Sequence, residues 1–199
     1  YEEWLSSHQP FHWLAEYYHI MHSNGGFDVI IGNPPYVVYT AKKYFYKISE
    51  SYKTYKCANL YAYCIERSHQ ILSYIGICGM IIPNSSISAT KMAPVQDIIK
   101  AGKKCWISNY SWRPAKLFEG ADMLLAIIID KHNEIDTVYS TKYNKWYNEY
   151  RNFLFKNLAY NETTNINMAD SIAKLPSPLF TKIIEKLKIQ DGKSSLTSS

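Results

Sequence analysis

The residues best suited to chemistry are Asn33, Pro34, Pro35 and Tyr36, which stand in succession. A residue that precedes proline is pushed into an extended conformation, so Pro34 restrains Asn33 and Pro35 restrains Pro34. Neither proline has a backbone N–H to donate. The segment therefore presents two hydrogen-bond acceptors, the Asn33 side-chain oxygen and the Pro34 carbonyl, beside the aromatic face of Tyr36.

Two acceptors held close together match a planar amino group with two N–H bonds, such as a nucleobase amine or an amide NH2. The lone pair of such a nitrogen is delocalised, which makes it a poor nucleophile. Fixed acceptors that draw on both hydrogens favour a pyramidal nitrogen, and this electrostatic preorganisation lets the lone pair attack an electrophile. The segment predicts group transfer to an NH2 nitrogen, whose proton leaves after the nitrogen has become cationic.

The elements around this segment predict where it lies. Residues 27–32 (FDVIIG) form an apolar, β-branched run between Gly26 and the two prolines, which predicts a strand buried on both faces, as in a parallel sheet. In open α/β sheets, ligands bind at the carboxyl ends of strands, which is where Asn33 falls. Alternating strand and helix patterns predict an α/β fold with a mostly parallel sheet.

The remaining elements follow from periodicity and from residues that begin or end them. Asn59 and Ser88 are the expected N-caps, and Gly76 and Gly102 are expected to end the two helices. The predicted helices cover 59–75, 89–101 and 179–189, and the later strands 77–82, which Pro83 ends, 106–111 and 124–130. Beyond about 136 the pattern weakens: 143–155 is aromatic and mixed, 161–167 predicts a polar linker, and 191–199 a frayed tail.

Composition limits the class of protein. With 199 residues, 47% hydrophobic and 20% charged, the chain is large enough for a folded domain and too apolar to be disordered. The longest apolar run, 123–129, is far too short to cross a bilayer, and the acidic N-terminus lacks the features of a signal peptide. These features predict a cytosolic protein.

No metal site is predicted. The four cysteines, Cys57, Cys64, Cys78 and Cys105, include no C-x-x-C pair, so we expect reduced core thiols. A helix could place His19 and His22 on one face, but no acidic or thiolate partner stands at a useful spacing.

The net charge of +5 is unevenly distributed. Before residue 42 there is no Lys or Arg and four acidic residues give −4, so the rest of the chain carries +9. The densest stretch, 42–56, has five lysines against Glu50, with five aromatic residues between them. Alternating cations and aromatics suit a phosphate backbone and unstacked bases. A solvated, tyrosine-rich loop is the alternative interpretation.

The sequence resembles the amino-methyltransferases that use S-adenosylmethionine. Within them it is most similar to adenine-specific (N6) DNA methyltransferases of restriction–modification systems, especially the type IIG-like group, in which methyltransferase, recognition and often nuclease parts share a chain. Four ordered segments carry the resemblance: FHW (11–13), GGFDVIIGNPPYV (25–37), the stretch 59–88, and KLFEGADMLLAIIID (116–130). The resemblance implies a Rossmann-like fold with helices on both faces of the sheet.

This resemblance also implies a reaction and a set of roles. A methyl group passes from S-adenosylmethionine to the exocyclic amino group of an adenine that is flipped out of double-stranded DNA. Asn33 and the Pro34 carbonyl would hold that amino group, Pro35 would stiffen the turn, and Tyr36 would stack on the base. Phe118 would pack against the base from another side. The other implied contacts are Leu60, Tyr61 and Cys64 on the cofactor side, and Lys42, Lys43 and Lys47 on phosphates.

The sequence also departs from this family, because no G-x-G matches the loop that binds the cofactor. We therefore interpret 1–136 as the C-terminal half of the catalytic domain. Residues 137–170 would be its end and a linker, and 171–199 the lead-in to a target-recognition domain or a disordered tail. The expected partners are DNA and, in a parent protein, the upstream half-domain and a recognition domain, with no membrane. The fragment alone is expected to be inactive, and the protein to be bacterial, cytoplasmic and nucleoid-associated.

Two other interpretations remain. Glutamine and ribosomal-RNA guanine methyltransferases also use Asn-Pro-Pro-Tyr, although the basic insert 37–58, the 11–13 match and Phe118 argue against them. A non-catalytic, DNA-binding remnant is the third interpretation, which the missing cofactor loop would support if 199 residues were the natural chain.

Overall fold

The structure is a computed structural model that describes residues 2–8, 12–42, 44–168 and 171–194. The helices are α1 (Glu2–His8), α2 (Trp13–Glu16), α3 (Tyr18–Ser23), α4 (Leu60–Ile71), α5 (Ala93–Lys100) and α6 (Pro178–Ser194). The strands are β1 (Phe27–Gly32), β2 (Leu72–Pro83), β3 (Lys103–Tyr110), β4 (Leu125–His132), β5 (Thr137–Asn144), β6 (Asn161–Glu162), β7 (Asn167–Met168) and β8 (Ser171–Ile172). No helix of the described part of the chain combines the length and the apolar character needed to cross a membrane.

Six strands form the main sheet in the order β1-β2-β4-β3-β5-β6. The pairs β1–β2 and β3–β5 are parallel, whereas β4 runs antiparallel to both β2 and β3, and β6 antiparallel to β5. The α/β class is confirmed, but the sheet is mixed rather than mostly parallel. The connection 111–124 between β3 and β4 contains no helix, whereas parallel neighbours are usually joined by a helical crossover.

Helices α4 and α5 cover one face of the sheet. Their side chains, including Ile65 and Val95, pack on Met80 of β2, Ile107 of β3 and Ile128 of β4 in one buried cluster. The prediction of helices at these two places is confirmed, although each is shorter than expected. Removing these apolar side chains from water supplies most of the stability of such a layer.

The other face is covered unevenly. A second buried cluster, which includes Tyr110, Leu117 and Leu125, covers the end of the sheet where β3 ends. Next to β1 the face is open, because Val29 is 58% and Ile31 78% exposed. The prediction that residues 27–32 are buried on both faces is therefore wrong within the described residues. The predicted second layer of helices does not cover this part either.

Several residues that were predicted to begin or end helices have other roles in the structure. Asn59 does precede α4, but its side chain donates to the Cys57 carbonyl at 3.0 Å instead of capping the helix. The helix ends at Ile71 and the chain passes directly into β2. Gly76, the expected helix stop, lies in β2, where a Cβ would come within 2.8 Å of the Phe27 carbonyl oxygen. The strand needs glycine there because two chain segments approach closely.

The ends of the other elements also differ in part. Ser88 donates to the Asn84 carbonyl and does not cap α5, which begins at Ala93 after a 3-10 turn. Gly102 follows α5 with a φ of +65°, as expected for a residue that ends a helix. Residues 161–167 are not a free linker, since Asn161 and Ile166 are buried and β6 pairs with β5.

Candidate active site

The segment Asn33–Tyr36 follows β1 at one edge of the sheet. Strands β2 and β3 are both antiparallel to β4, so they share one direction, which β1 and β5 also share through their parallel pairings. The carboxyl ends of these four strands therefore lie along one edge, which we call the carboxyl edge. Ligand sites of open α/β sheets occur at this position.

Asn33 is available to a ligand. Its side chain is exposed and makes no hydrogen bond to any other described residue, while Pro34 is buried and Pro35 is exposed. Burial of Pro34 fixes the turn in the protein, so the adjacent carboxamide projects from an anchored backbone. An amide with no protein partner keeps its oxygen free to accept a hydrogen bond from an amino group.

Tyr36 is half-buried and held by its hydroxyl. The hydroxyl donates to the Ile81 carbonyl of β2 at 3.0 Å, and the ring meets the edge of Tyr61 at a centroid distance of 6.3 Å. Burial raises the pKa of Tyr36 to about 12, so the phenol keeps its proton at neutral pH. The hydrogen bond and the ring contact thus fix the aromatic ring of Tyr36 in the loop that carries Asn33.

The start of α4 is joined to the same loop. Leu60 N–H donates to the Val37 carbonyl and Tyr39 N–H to the Ala58 carbonyl, both at 2.9 Å, around a single antiparallel bridge between Val38 and Asn59. This pairing brings the predicted cofactor-side residues near the loop. Tight backbone pairing of this kind makes the loop and the helix start one unit.

The predicted cofactor-side residues are not equally accessible. Leu60 and Cys64 are half-buried, and burial raises the pKa of the Cys64 thiol. Tyr61 is 3% exposed and its hydroxyl donates to the Met92 sulfur at 3.6 Å, inside the core. The structure therefore places Tyr61 as a support for Tyr36, while Leu60 and Cys64 retain surface that could form one apolar wall of a pocket.

Phe118 and Tyr36 pack on the same buried cluster. Arg151 and Asp122, which the sequence analysis did not select, hold the segment before Phe118 in place. Arg151 donates to the carbonyls of Lys116 at 3.1 Å and Leu117 at 2.5 Å, and Lys116 pairs with Asp122 at 2.5 Å. No local signal could have identified Arg151, because its partners lie more than 30 residues away in the sequence.

The basic, aromatic stretch 42–56 is anchored rather than free. Lys42 and Lys47 are exposed, as expected for phosphate contacts, while Lys43 and Phe11 lie outside the described residues. The carboxylate of Glu66 accepts from Lys53 N–H at 3.0 Å, and from Thr54 N–H and Thr54 Oγ1 at 2.8 Å each. This carboxylate ties the end of the loop to α4.

The tyrosines of this loop stack on one another. The ring of Tyr39 is stacked with Tyr44 at 5.7 Å and with Tyr46 at 6.1 Å, and its hydroxyl accepts from Ile48 N–H. Phe45 alone among these neighbours is almost fully exposed, at 99%. The expected aromatic platform for bases is thus reduced in large part to an internal tyrosine cluster.

A buried polar cluster lies under α4. The Nε2 atom of His69 is 2.9 Å from Oδ1 of Asp130, and its Nδ1 is 2.8 Å from the Ile65 carbonyl oxygen. Cys78 lies within 4.8 Å of both side chains, so the three could in principle hold a metal ion. Both ring nitrogens are already hydrogen-bonded, and burial with the nearby Asp130 raises the pKa of Cys78 to about 12. These features fit a structural core pair better than a metal centre.

Comparison with known proteins identifies related sequences. A sequence model of the Eco57I restriction-modification methylase family matches residues 2–112. A protein of Methanocaldococcus jannaschii named as a type II restriction enzyme and methyltransferase is 28% identical over 198 residues, covering 95% of this chain and 16% of the relative.

Two solved structures have a similar fold. The DrdV–DNA complex matches 71% of this chain with a TM-score of 0.55 and 14% identity. The type ISP restriction-modification enzyme LlaGI, solved as a nuclease-deletion mutant with a DNA substrate mimic, matches 78% with a TM-score of 0.56 and 13% identity. The matched regions are 18% and 19% of those chains, so this chain spans less than a fifth of each of these three relatives.

Proposed function

Because this chain belongs to the Eco57I restriction-modification methylase family, we propose that it is part of an enzyme that methylates the exocyclic amino group of adenine in DNA. The observation that carries the proposal is Asn33, an exposed carboxamide without a described partner at the carboxyl edge, beside the fixed ring of Tyr36. Acceptors at this position suit an NH2 substrate.

The residues of this chain would act on the amino group as follows. The Asn33 oxygen and the Pro34 carbonyl accept its two hydrogens, and the nitrogen becomes pyramidal with its lone pair available. S-adenosylmethionine, when bound, would supply the electrophilic methyl group, and its sulfur would keep the electron pair of the broken S–CH3 bond as a neutral thioether. Leu60 and Cys64 fit one apolar wall of its pocket, since both keep exposed surface beside the loop. The proton of the methylated nitrogen then leaves to solvent.

The target base must be extruded from the duplex, which costs a few kcal/mol. We propose that Tyr36 and Phe118, which pack on one cluster, contact the extruded base on two sides. Stacking on an aromatic side chain contributes roughly 1–3 kcal/mol per base. Lys42, Lys43 and Lys47 would neutralise phosphates nearby. The enzyme would work in the cytoplasm, on the nucleoid.

The open face beside β1 fits an upstream half of the methyltransferase domain. Val29 and Ile31 are exposed, Ile77 and Ile129 are more than 40% exposed, and β1 is the first strand in the sheet order. A contiguous apolar sheet face usually marks an interface. We propose that 1–136 completes a catalytic domain with this upstream half, that 137–170 ends the domain, and that 171–199 leads to target recognition.

An Ile31→Asp variant of the complete parent protein tests the upstream partner. A carboxylate buried in an apolar interface without a partner is unfavourable by several kcal/mol, so we expect the affinity for S-adenosylmethionine to fall at least about tenfold. Calorimetric titration measures it. Ile135→Asp is the matched control, since Ile135 is 73% exposed in the turn between β4 and β5. Equal affinities of the two variants for S-adenosylmethionine would contradict the proposal that an upstream half-domain packs on the open face beside β1.

The reaction itself is tested with the parent protein and labelled S-adenosylmethionine. Duplex DNA, ribosomal RNA and a glutamine-containing peptide are offered separately, and mass spectrometry identifies the methylated nucleoside or residue. We expect N6-methyladenine in DNA. A methylated guanine in RNA or a methylated glutamine in the peptide would contradict methylation of DNA adenine and support the corresponding alternative substrate. The absence of any product would favour a non-catalytic remnant.

A further inference from the structure

A second basic and aromatic surface lies at the carboxyl edge, which the sequence analysis did not select. It consists of residues 111–116 after β3 and 142–157 at the end of β5, and we call it the β3–β5 surface. The two segments leave the sheet together, because Ser111 N–H donates to the Asn144 carbonyl at 3.0 Å and Asn144 Nδ2 to the Asn109 carbonyl at 2.9 Å. Strand direction places this surface on the same edge as Asn33.

The β3–β5 surface is strongly positive. Residues 142–157 contain four cations and Glu149, a balance of +3, and 111–116 contain two cations and no acid, a balance of +2. Arg151 and Lys116 are engaged in holding the segment before Phe118. Among the described residues, Arg113, Lys142, Lys145 and Lys156 have no acidic partner. Four cations are thus available to an anionic ligand.

Aromatic side chains stand between these cations. The Arg113 guanidinium lies 4.0 Å from the centroid of the Trp112 ring, and Tyr147 and Tyr150 are each about 60% exposed. The two tyrosines line a cleft of about 570 Å³ that Lys145 also lines. Lys145 borders a neighbouring cleft of about 590 Å³ with Trp112 and Arg113, so it connects the two.

An unsatisfied donor lies in the wall of the first cleft. Trp146 is 6% exposed, packs against Tyr110 at a centroid distance of 5.9 Å, and has no hydrogen-bond partner for its indole N–H among the described residues. Buried donors are normally paired, so one without a partner is unusual. A ligand with acceptor oxygens would provide a hydrogen-bond partner for this indole N–H after a small rearrangement of the cleft wall.

From this arrangement we infer that the β3–β5 surface binds the phosphate backbone and unstacked bases of the DNA that carries the target base. The inference rests on the proposed function and assigns its substrate a second contact surface, besides the loop 42–56. Cations supply the salt-dependent part of such binding, and exposed aromatic rings accept unpaired bases. An acidic protein segment would use the cations but would have little need of the tyrosine platform.

The test uses the complete parent protein with the double substitution Arg113→Gln and Lys145→Gln. Each phosphate contact contributes about 0.9 to the slope of log affinity against log salt concentration, so the slope should fall by about 1.8. We expect DNA affinity at low salt to fall at least about tenfold. Equilibrium titrations with a fluorescent duplex at several KCl concentrations give both values.

The matched control removes the same two charges elsewhere. It combines Arg67→Gln with Lys131→Gln, since Arg67 is an exposed residue of α4 and Lys131 an exposed residue at the far end of β4. This control should leave the salt slope unchanged. The variant Lys145→Arg, which conserves the charge, should also leave the salt slope unchanged. Thermal unfolding checks that the variants are folded.

If the double variant at Arg113 and Lys145 has an unchanged slope of log DNA affinity against log salt concentration, the inference is overturned. This holds even if the surface is then found to bind an acidic protein. If the wild-type parent still methylates DNA in that case, the proposed function stands. Failure of the wild-type parent to bind or methylate DNA would instead overturn the proposed function.

Discussion

Replacement of Asn33 by alanine in the parent protein is expected to lower the rate of methyl transfer at least about a hundredfold. Loss of one preorganised hydrogen-bonding group from a site of this kind typically costs on the order of 100- to 1000-fold in kcat. DNA affinity should remain, because the carboxamide acts on the amino group and not on phosphates. Folding should also remain, because the exposed side chain has no hydrogen bond to another described residue.

Single-turnover assays with saturating DNA and labelled S-adenosylmethionine measure this rate, and a parallel titration measures DNA binding. Asn133→Ala is the matched control, since Asn133 lies in the turn between β4 and β5 at the opposite edge of the sheet. It should retain nearly the full rate. Activity of the Asn33 variant within about tenfold of wild type would rule out the mechanism that we propose for this loop.

Replacement of Asp130 by alanine is expected to destabilise the sheet by about 3–5 kcal/mol, because it leaves His69 buried without its partner. The His69 and Asp130 side chains are 11% and 2% exposed, and their hydrogen bond of 2.9 Å joins α4 to β4. Hydrogen exchange of the β2 and β4 amides measures this loss, and we expect their protection factors to fall by roughly two to four orders of magnitude.

Two further variants separate the loss of the hydrogen-bonded His69–Asp130 pair from a general effect of losing a carboxylate. Asp122→Ala removes the partner of Lys116, but Asp122 is 63% exposed and water replaces that interaction, so protection should change little. The double variant His69→Leu with Asp130→Leu should recover part of the loss, since apolar side chains of similar volume can replace a buried pair. Equal effects of Asp130→Ala and Asp122→Ala would contradict a structural role for the pair.

The sequence by itself determined the parts of this protein that depend on neighbouring residues. Strand β1 has the bounds predicted from FDVIIG, because an apolar run between Gly26 and two prolines is a local signal. The end of β2 at Pro83 was predicted for the same reason. Local patterns also predicted the two helices, over 59–75 and 89–101, although these begin at Leu60 and Ala93 and are shorter. The resemblance to restriction–modification methyltransferases is confirmed by the family match, which spans the first three of the four segments that carry it.

Only the tertiary structure decided how distant segments meet. The antiparallel insertion of β4, the open face beside β1 and the Arg151 contacts to the segment before Phe118 join residues that are far apart in the chain. Strand β5, whose sequence is too polar to stand out, was found only through its pairing with β3. A strand's composition records that it is buried somewhere, but its direction and its neighbours depend on contacts that local patterns do not encode.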